Sequence, residues 1–285
     1  YQQIILLTHH RIFTKMHGLG NDYVCINCFR ERVEDPPGFA RTLCDRHYGI
    51  GADGLILICP SKVSDFKMEI YNSDGSVAGM CGNGIRCLGK YVYDYRLTGK
   101  ETLSIETKSG IRNMHLHIQD GKACGAMVDM GVPRLNAHSI PILSEKDLVI
   151  NDPIEVQKKN YRMTGISMGN PHAVIFLEEI NGISLEETGR ELEFHPRFPE
   201  RANIEFCHVT ARDRMEIRVW ERGVGETLAC GTGACAAVVA SVLNDLTDEE
   251  VIVKLLGGEL SVRWDRKVNH VFLEGPAVKV FDGVL

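Results

Sequence analysis

Two cysteines sit in nearly identical surroundings, Met80-Cys81-Gly82-Asn83-Gly84 and Ala229-Cys230-Gly231-Thr232-Gly233. In each, a Cys-Gly-x-Gly turn runs straight into an apolar stretch compatible with a helix. A thiol at a helix start feels unpaired backbone N–H groups and the positive end of the macrodipole, and both favour thiolate. The glycines let the backbone come close to a ligand, so that its N–H groups can cradle a carboxylate. Two such starts facing one another would hold one carboxylate between them, with a thiol on each side of the attached α-carbon. One thiolate would remove the α-proton and the opposite thiol would return one. These are the needs of a two-base racemase or epimerase, in which converging N–H groups stabilise the charge that builds on the carboxylate.

A lone Cys-Gly-x-Gly reads as a buried cysteine at a helix start. The duplication changes that reading. The two cysteines lie 149 positions apart (81 to 230), and the same shift carries Gly20-Asn21-Asp22-Tyr23 onto Gly169-Asn170-Pro171-His172. It also carries Phe66, Met68 and Ile70 onto Met215, Ile217 and Val219. The halves differ where His172 replaces Tyr23 and Glu221 replaces Asn72. Both ionisable replacements fall in the second half, which makes His172 and Glu221 candidates to orient the thiols or pass protons. Arg222 offers either an ion pair with Glu221 or a fork for a second carboxylate. Asn170 and Asn203, at turn or strand-end positions, favour the carboxylate. Cys87 and Cys235, one to two turns into their helices, read as core.

The elements that must place these groups follow from pattern. Residues 12–15 and 24–26 flank the turn Gly18-Leu19-Gly20-Asn21 and read as a hairpin. Residues 36–48 read as a short helix after a proline pair, and 82–95 as a helix buried on one face. Strands are expected at 55–59, 66–71, 103–107, 111–118 and 126–130. The second half repeats the order, with strands at 163–167, 173–177, 204–209, 214–220, 251–255, 260–264 and 271–273. Its helices are 185–192 and 233–243, the latter so apolar all round that it must be deeply buried. The simplest architecture is an α/β (α+β) fold of two pseudo-symmetric halves, each a barrel-like, mostly antiparallel sheet around a central helix. The halves divide as 1–127 and 128–275, with the C-terminal strand 276–285 crossing back to the first.

The 285 residues carry a net charge of −6 and 44% hydrophobic residues, enough for a sizeable core in each half. No apolar run approaches the ~20 residues of a membrane span. The opening Tyr1–Leu7 stretch lacks the basic region and cleavage site of a signal peptide and reads as an added strand or a foreign leader. Without a basic stripe and interleaved aromatics, nucleic-acid binding is not expected. Ten scattered cysteines suit free thiols in a reducing cytoplasm. Cys25-x-x-Cys28 has no matching second pair, so a zinc site is not expected and no metal is assigned. No lysine in a cofactor setting and no GxGxxG turn is present, which favours chemistry without a cofactor.

These motifs resemble the diaminopimelate epimerase family. The resemblance rests on Met16–Tyr23, Tyr71-Asn72-Ser73-Asp74-Gly75, Met80–Cys87, Gly169-Asn170-Pro171-His172, Glu221-Arg222-Gly223 and Ala229–Gly233, and runs from about Lys15 to the C-terminus. Proline racemases are similar in fold and thiol pair but typically carry histidine where Asn83 stands. The resemblance implies cofactor-independent interconversion of LL- and meso-diaminopimelate, in lysine and peptidoglycan precursor synthesis, in a cleft between the halves that closes on substrate. It implies that Cys81 and Cys230 are the acid/base pair, with Cys81 the base toward the LL isomer, supported by His172 and Glu221. It implies that Asn21, Asn72, Asn170, Asn203, Glu221 and Arg222 bind substrate, chiefly at its far end. The backbones of Gly82-Asn83 and Gly231-Thr232 would hold the reacting carboxylate. Some relatives have glutamine where Gly54 stands, and members often form homodimers.

Overall fold

The computed structural model describes residues 11–285, so the strand expected in Tyr1–Leu7 lies outside the described residues. Among them are four α-helices, α1 (Pro36–Cys44), α2 (Gly82–Asp94), α3 (Leu185–Glu193) and α4 (Gly231–Leu243), and one continuous 18-stranded sheet. None of these helices is long and apolar enough to cross a membrane.

The sheet is built twice by the same rule. In the first half, Ile12–Gly18 and Asn21–Asn27 form the expected hairpin, closed by Leu19 and Gly20 at φ 55° and 82°. These left-handed values suit the tight turn that matches strand twist. Asn21–Asn27 then pairs in parallel with Gly54–Cys59, and Gly54–Cys59 antiparallel with Phe66–Asn72. Phe66–Asn72 pairs in parallel with Thr102–Thr107, which leads through Gly110–Gln119 to Lys122–Gly131 by antiparallel steps. The second half repeats this order from the hairpin Lys159–Ser167/Pro171–Phe176, through the parallel pair of Pro171–Phe176 with Asn203–Ala211, to His270–Pro276. Each half thus carries two parallel pairs within a mostly antiparallel sheet.

Lys122–Gly131 and His270–Pro276 join the halves by antiparallel pairing, Val128 opposite Leu273. Residue 127/128 falls inside the first of these strands. Val278–Val284 continues past the junction and pairs with Ile12–Gly18, as Asp152–Val156 pairs with Lys159–Met163 in the second half.

The central helices run through one shared core. Ile85, Leu88 and Val92 of α2 and Ala236, Val238 and Val239 of α4 are fully buried in the same cluster. Each buried Ile, Leu or Val contributes about 1.5–3 kcal/mol relative to exposure. The first two turns of α2 are buried all round, not on one face, and Arg86 is the largest fully buried side chain. The outer helices cover the opposite faces. Ala40 and Leu43 of α1 lie over Val24, Ile26, Leu55 and Leu57, and Leu185 and Leu192 of α3 over Ile175, Ile204 and Phe206. Strands covered on both sides explain continuous apolar runs such as Leu55–Ile58. Asp35 caps α1 by accepting from Gly38 N at 3.1 Å, ahead of the two prolines that fit its first turn.

Candidate active site

Cys81 and Cys230 are the N-cap residues of α2 and α4, both in extended backbone conformation. The helix starts meet glycine on glycine. A Cβ built on Gly231 would lie 3.5 Å from Gly82 Cα, and one on Gly82 would lie 3.7 Å from Gly231 Cα and 2.9 Å from Leu273 Cδ2. The second glycine of each motif serves the underlying strand. A Cβ on Gly84 would meet Ile56 Cδ1 at 3.0 Å, and one on Gly233 would meet Glu205 Oε1 at 2.7 Å. The glycines therefore bring helix to helix and helix to strand, in addition to baring backbone N–H groups. Gly82→Ala is expected to destabilise the fold by about 1–3 kcal/mol through overpacking at this joint. Chemical denaturation reads it out, and an unchanged midpoint would mean that the joint has slack.

Above the joint opens a cavity of about 850 Å³. Its wall contains Asn21, Asn72, Cys81, Gly82, Asn83, Asn170, Asn203, Glu221, Arg222, Cys230, Gly231 and Thr232. Of the residues proposed from the sequence for catalysis or substrate binding, His172 alone stands behind the wall. It is fully buried, with Nδ1 2.7 Å from Glu205 Oε1 and Nε2 3.0 Å from Asn170 Oδ1. Asn203 is braced, donating to Pro171 O at 2.9 Å and accepting from Arg222 N at 2.9 Å. The Arg222 guanidinium donates to Glu200 O at 2.8 Å and makes no ion pair with Glu221 among the described residues. Thr227 Oγ1 donates to Glu221 Oε1 at 2.6 Å.

The thiols have different company. Cys81 Sγ lies 2.8 Å from Tyr23 Oη, which is 2.5 Å from Asn21 Oδ1. Tyr23 has one proton and two acceptors, so it can serve Asn21 while Cys81 is a thiol and turn to sulfur when Cys81 is a thiolate. Burial pushes the Cys81 thiol up from the ordinary cysteine range. The Tyr23 hydroxyl and the N–H groups of Gly84 and Asn83 offset this in part. Burial pushes the Cys230 thiol well up too, and the carboxyl groups of Glu221 and Glu205 add to it. Thr232 and the Gly233 N–H, 3.4 Å from sulfur, oppose. Glu221 is itself shifted up by burial, against hydrogen bonds from Thr227 and Cys230. Two thiols held above their usual range make strong bases once ionised, which suits a weakly acidic carbon.

Glu205 escaped the sequence reading. It is fully buried, and its Oε2 has no hydrogen-bond partner among the described residues. The 149-residue shift puts it on Ile56, a fully buried apolar residue of the first half. A carboxylate at an inward strand position where the repeat has isoleucine was the available signal. Arg46 also lines the cavity; its guanidinium grips Asp22 at 2.8 Å and Asp53 at 2.7 Å, and Asn21 Nδ2 donates to Asp53 Oδ2 at 2.7 Å. Burial disfavours the Asp22 carboxylate, but Arg46 and Lys15 outweigh it and hold its pKa at about 2. This cluster braces Asn21 from behind.

Two like lobes, each with a cysteine-capped central helix, meet at this one cleft. A hydroxyproline epimerase from Agrobacterium vitis has the same architecture, with TM-score 0.71 at 12% identity over 97% of this chain and 91% of that one. The diaminopimelate epimerase family model matches residues 13–136 and 164–280. The chain is 54% identical over 271 residues to the diaminopimelate epimerase of Acetivibrio thermocellus, covering 95% of this chain and 97% of the relative. It is 50% identical to that of Methanococcus maripaludis, covering 95% and 98%. The chain belongs to the diaminopimelate epimerase family.

Proposed function

We propose that this protein interconverts LL- and meso-2,6-diaminopimelate, in lysine and peptidoglycan precursor synthesis, by proton transfer between two opposed thiols without a cofactor. One observation carries the reading: two thiol-capped helix starts meet glycine on glycine at a single cavity, and both thiols stand in its wall. The reacting carboxylate lies at the paired helix N-termini, held by backbone N–H groups at Gly82-Asn83 and Gly231-Thr232. A thiolate on Cys81 takes the α-proton as the C–H bond breaks, and the electron pair passes into the carboxylate. Cys230 gives its own proton to the opposite face of the carbon, ending as thiolate. The reverse direction exchanges the roles.

The free enzyme rests with Cys81 as the readier base, because Glu221 and Glu205 both press on Cys230 while Cys81 faces Glu221 and has the Tyr23 hydroxyl to receive its charge. Glu221 steadies the Cys230 thiol, and His172 acts as a positioning residue through Asn170 and Glu205. Asn72, Asn170, Asn203, Glu221 and Arg222, with Asn21, receive the far amino and carboxylate groups. A site whose buried polar groups await that far end rejects substrates lacking it by a large factor. The two halves, 1–127 and 128–275 by the repeat, meet within the strand Lys122–Gly131, and 276–285 completes the first. The ten cysteines are all free, which fits a reducing cytoplasm.

Incubation with LL-diaminopimelate in D2O tests the reading. The meso product should appear with deuterium at the inverted α-carbon, while proline and glutamate remain unexchanged. Comparable rates on all three would remove the assignment. In the same assay kcat/KM should rise with pH as Cys81 ionises and fall once Cys230 loses its proton. Both thiols are shifted up, so the rising limb belongs on the alkaline side of neutrality. A profile flat from acid to neutral pH would exclude the thiolate as base.

A further inference from the structure

Arg86 is the largest fully buried side chain among the described residues, and no carboxylate pairs with it there. Its guanidinium donates to Gly82 O at 2.9 Å, Asn83 Oδ1 at 2.8 Å and Pro276 O at 3.1 Å. All three acceptors are neutral. A buried cation without a counter-charge is costly to hold unless the working molecule supplies one. The negative charges that arise near it are those of the reaction: a thiolate, and the electron density gathering on the substrate carboxylate.

Its hydrogen bonds lead to both thiols. Asn83 takes one from Arg86 and donates its own Nδ2 to Asn21 Oδ1 at 3.1 Å and to Ala229 O at 3.2 Å. Asn21 Oδ1 is also the acceptor of the Tyr23 hydroxyl that touches Cys81, and Ala229 is the residue before Cys230. The repeat shift places Arg86 on Cys235, so the two halves contribute one cation and one buried thiol at equivalent positions. The ionisable groups around Arg86 are Cys87 of its own helix first, then Cys81 at the helix start, Tyr23 of the first hairpin and Cys235 of α4, and the cation also favours the thiolates of Cys87 and Cys235. Glu221 also faces Cys81, from the second half.

We infer that Arg86 is the fixed counter-charge of the active site: one buried cation beneath the joint of the two helix starts, which favours the Cys81 thiolate and the developing carboxylate charge and holds Asn83 in the orientation that ties both thiols together. This rests on the two-thiol reading above. Arg86 is a positioning and electrostatic residue, and it takes no proton.

Arg86→Met and Arg86→Gln remove the charge. Arg86→Gln keeps amide donors for part of the Arg86 hydrogen-bond set, whereas Arg86→Met leaves three acceptors unpaired, at about 1–3 kcal/mol for each that is buried, so Arg86→Gln is the variant expected to stay folded. Cys81 ionisation is read without turnover, from the pH dependence of its alkylation by iodoacetamide, followed by mass spectrometry of its peptide. The midpoint should rise by about one pH unit or more. Epimerisation kcat should fall roughly 10²-fold, with KM held within about threefold. An unchanged midpoint, or a raised KM with unchanged kcat, would overturn the inference. If neither neutral variant folds, Arg86→Lys decides. With the cation kept and the fork lost, it should leave the midpoint near that of the parent chain while kcat drops. A raised midpoint in that variant would assign Cys81 ionisation to hydrogen-bond geometry and overturn the role of charge. Failure of the alkylation result with diaminopimelate turnover intact in the parent would leave the two-thiol mechanism standing.

Discussion

Cys81→Ser and Cys230→Ser should each lower epimerisation by roughly 10³–10⁴-fold, because a hydroxyl is a far poorer proton carrier than a thiol near neutral pH. The informative signal is what survives. In Cys230→Ser the Cys81 thiolate can still lift the α-proton of one isomer and return a proton to the same face. That isomer should take up solvent deuterium without inverting, while its epimer stays unlabelled. Cys81→Ser should show the complementary preference. Deuterium at the α-carbon and product stereochemistry, followed together for both isomers, distinguish the cases. Near-normal epimerisation by either variant would reject a mechanism with one thiol on each face.

Glu205 carries the second large effect. It sits at zero exposure with His172 2.7 Å away, beneath the first turn of α4 where only glycine at 233 leaves it room. Glu205→Ala strands His172 in the core without its hydrogen-bond partner, and a buried polar group left unpaired costs about 1–3 kcal/mol. Denaturation by urea measures that loss. Glu205→Gln keeps the shape and a hydrogen-bonding oxygen but not the charge. It should remain folded and lose about tenfold or more in kcat as His172, and through it Asn170, loses its fixed orientation. It should also ease the Cys230 thiol, since one of the two carboxyl groups that hold its pKa up is gone. The alkylation midpoint of Cys230 is then expected to move to lower pH. Full activity together with an unmoved Cys230 midpoint would reduce Glu205 to a space-filler.

The repeat made the placement of the thiols legible. A thiol, two glycines and a fixed register, stated twice, led to both helix starts and to the cavity wall around them. What the sequence hid follows from how the signals work. The hairpin of Asp152–Val156 and Lys159–Ser167 turns at Gln157 and Lys158, with φ of 53° and 60°. Glycine and asparagine usually mark such left-handed turns, and neither is present. The all-round burial of the start of α2 was masked by Asn83 and Arg86, polar residues that a helical pattern assigns to the surface. Their burial is set by the second half, which the local pattern of the first cannot see. Glu205 is hidden because a single carboxylate between Ile204 and Phe206 in a buried strand leaves no local pattern of its own. His172 is a candidate to orient the thiols or pass protons from its register with Tyr23, which itself lines the cavity. The paired strand of Asn203 carries His172 inward, one layer behind Asn170.

The final strand, Val278–Val284, belongs by hydrogen bonding to the first seven described residues of regular structure, Ile12–Gly18. During synthesis on the ribosome this edge of the leading lobe waits, unzipped, until Val278–Val284 has been made. The trailing lobe, contiguous apart from its seam, can close earlier, and the lobe made first is completed last. Deleting a few C-terminal residues should therefore loosen the amino-terminal lobe rather than the one to which they are adjacent in sequence.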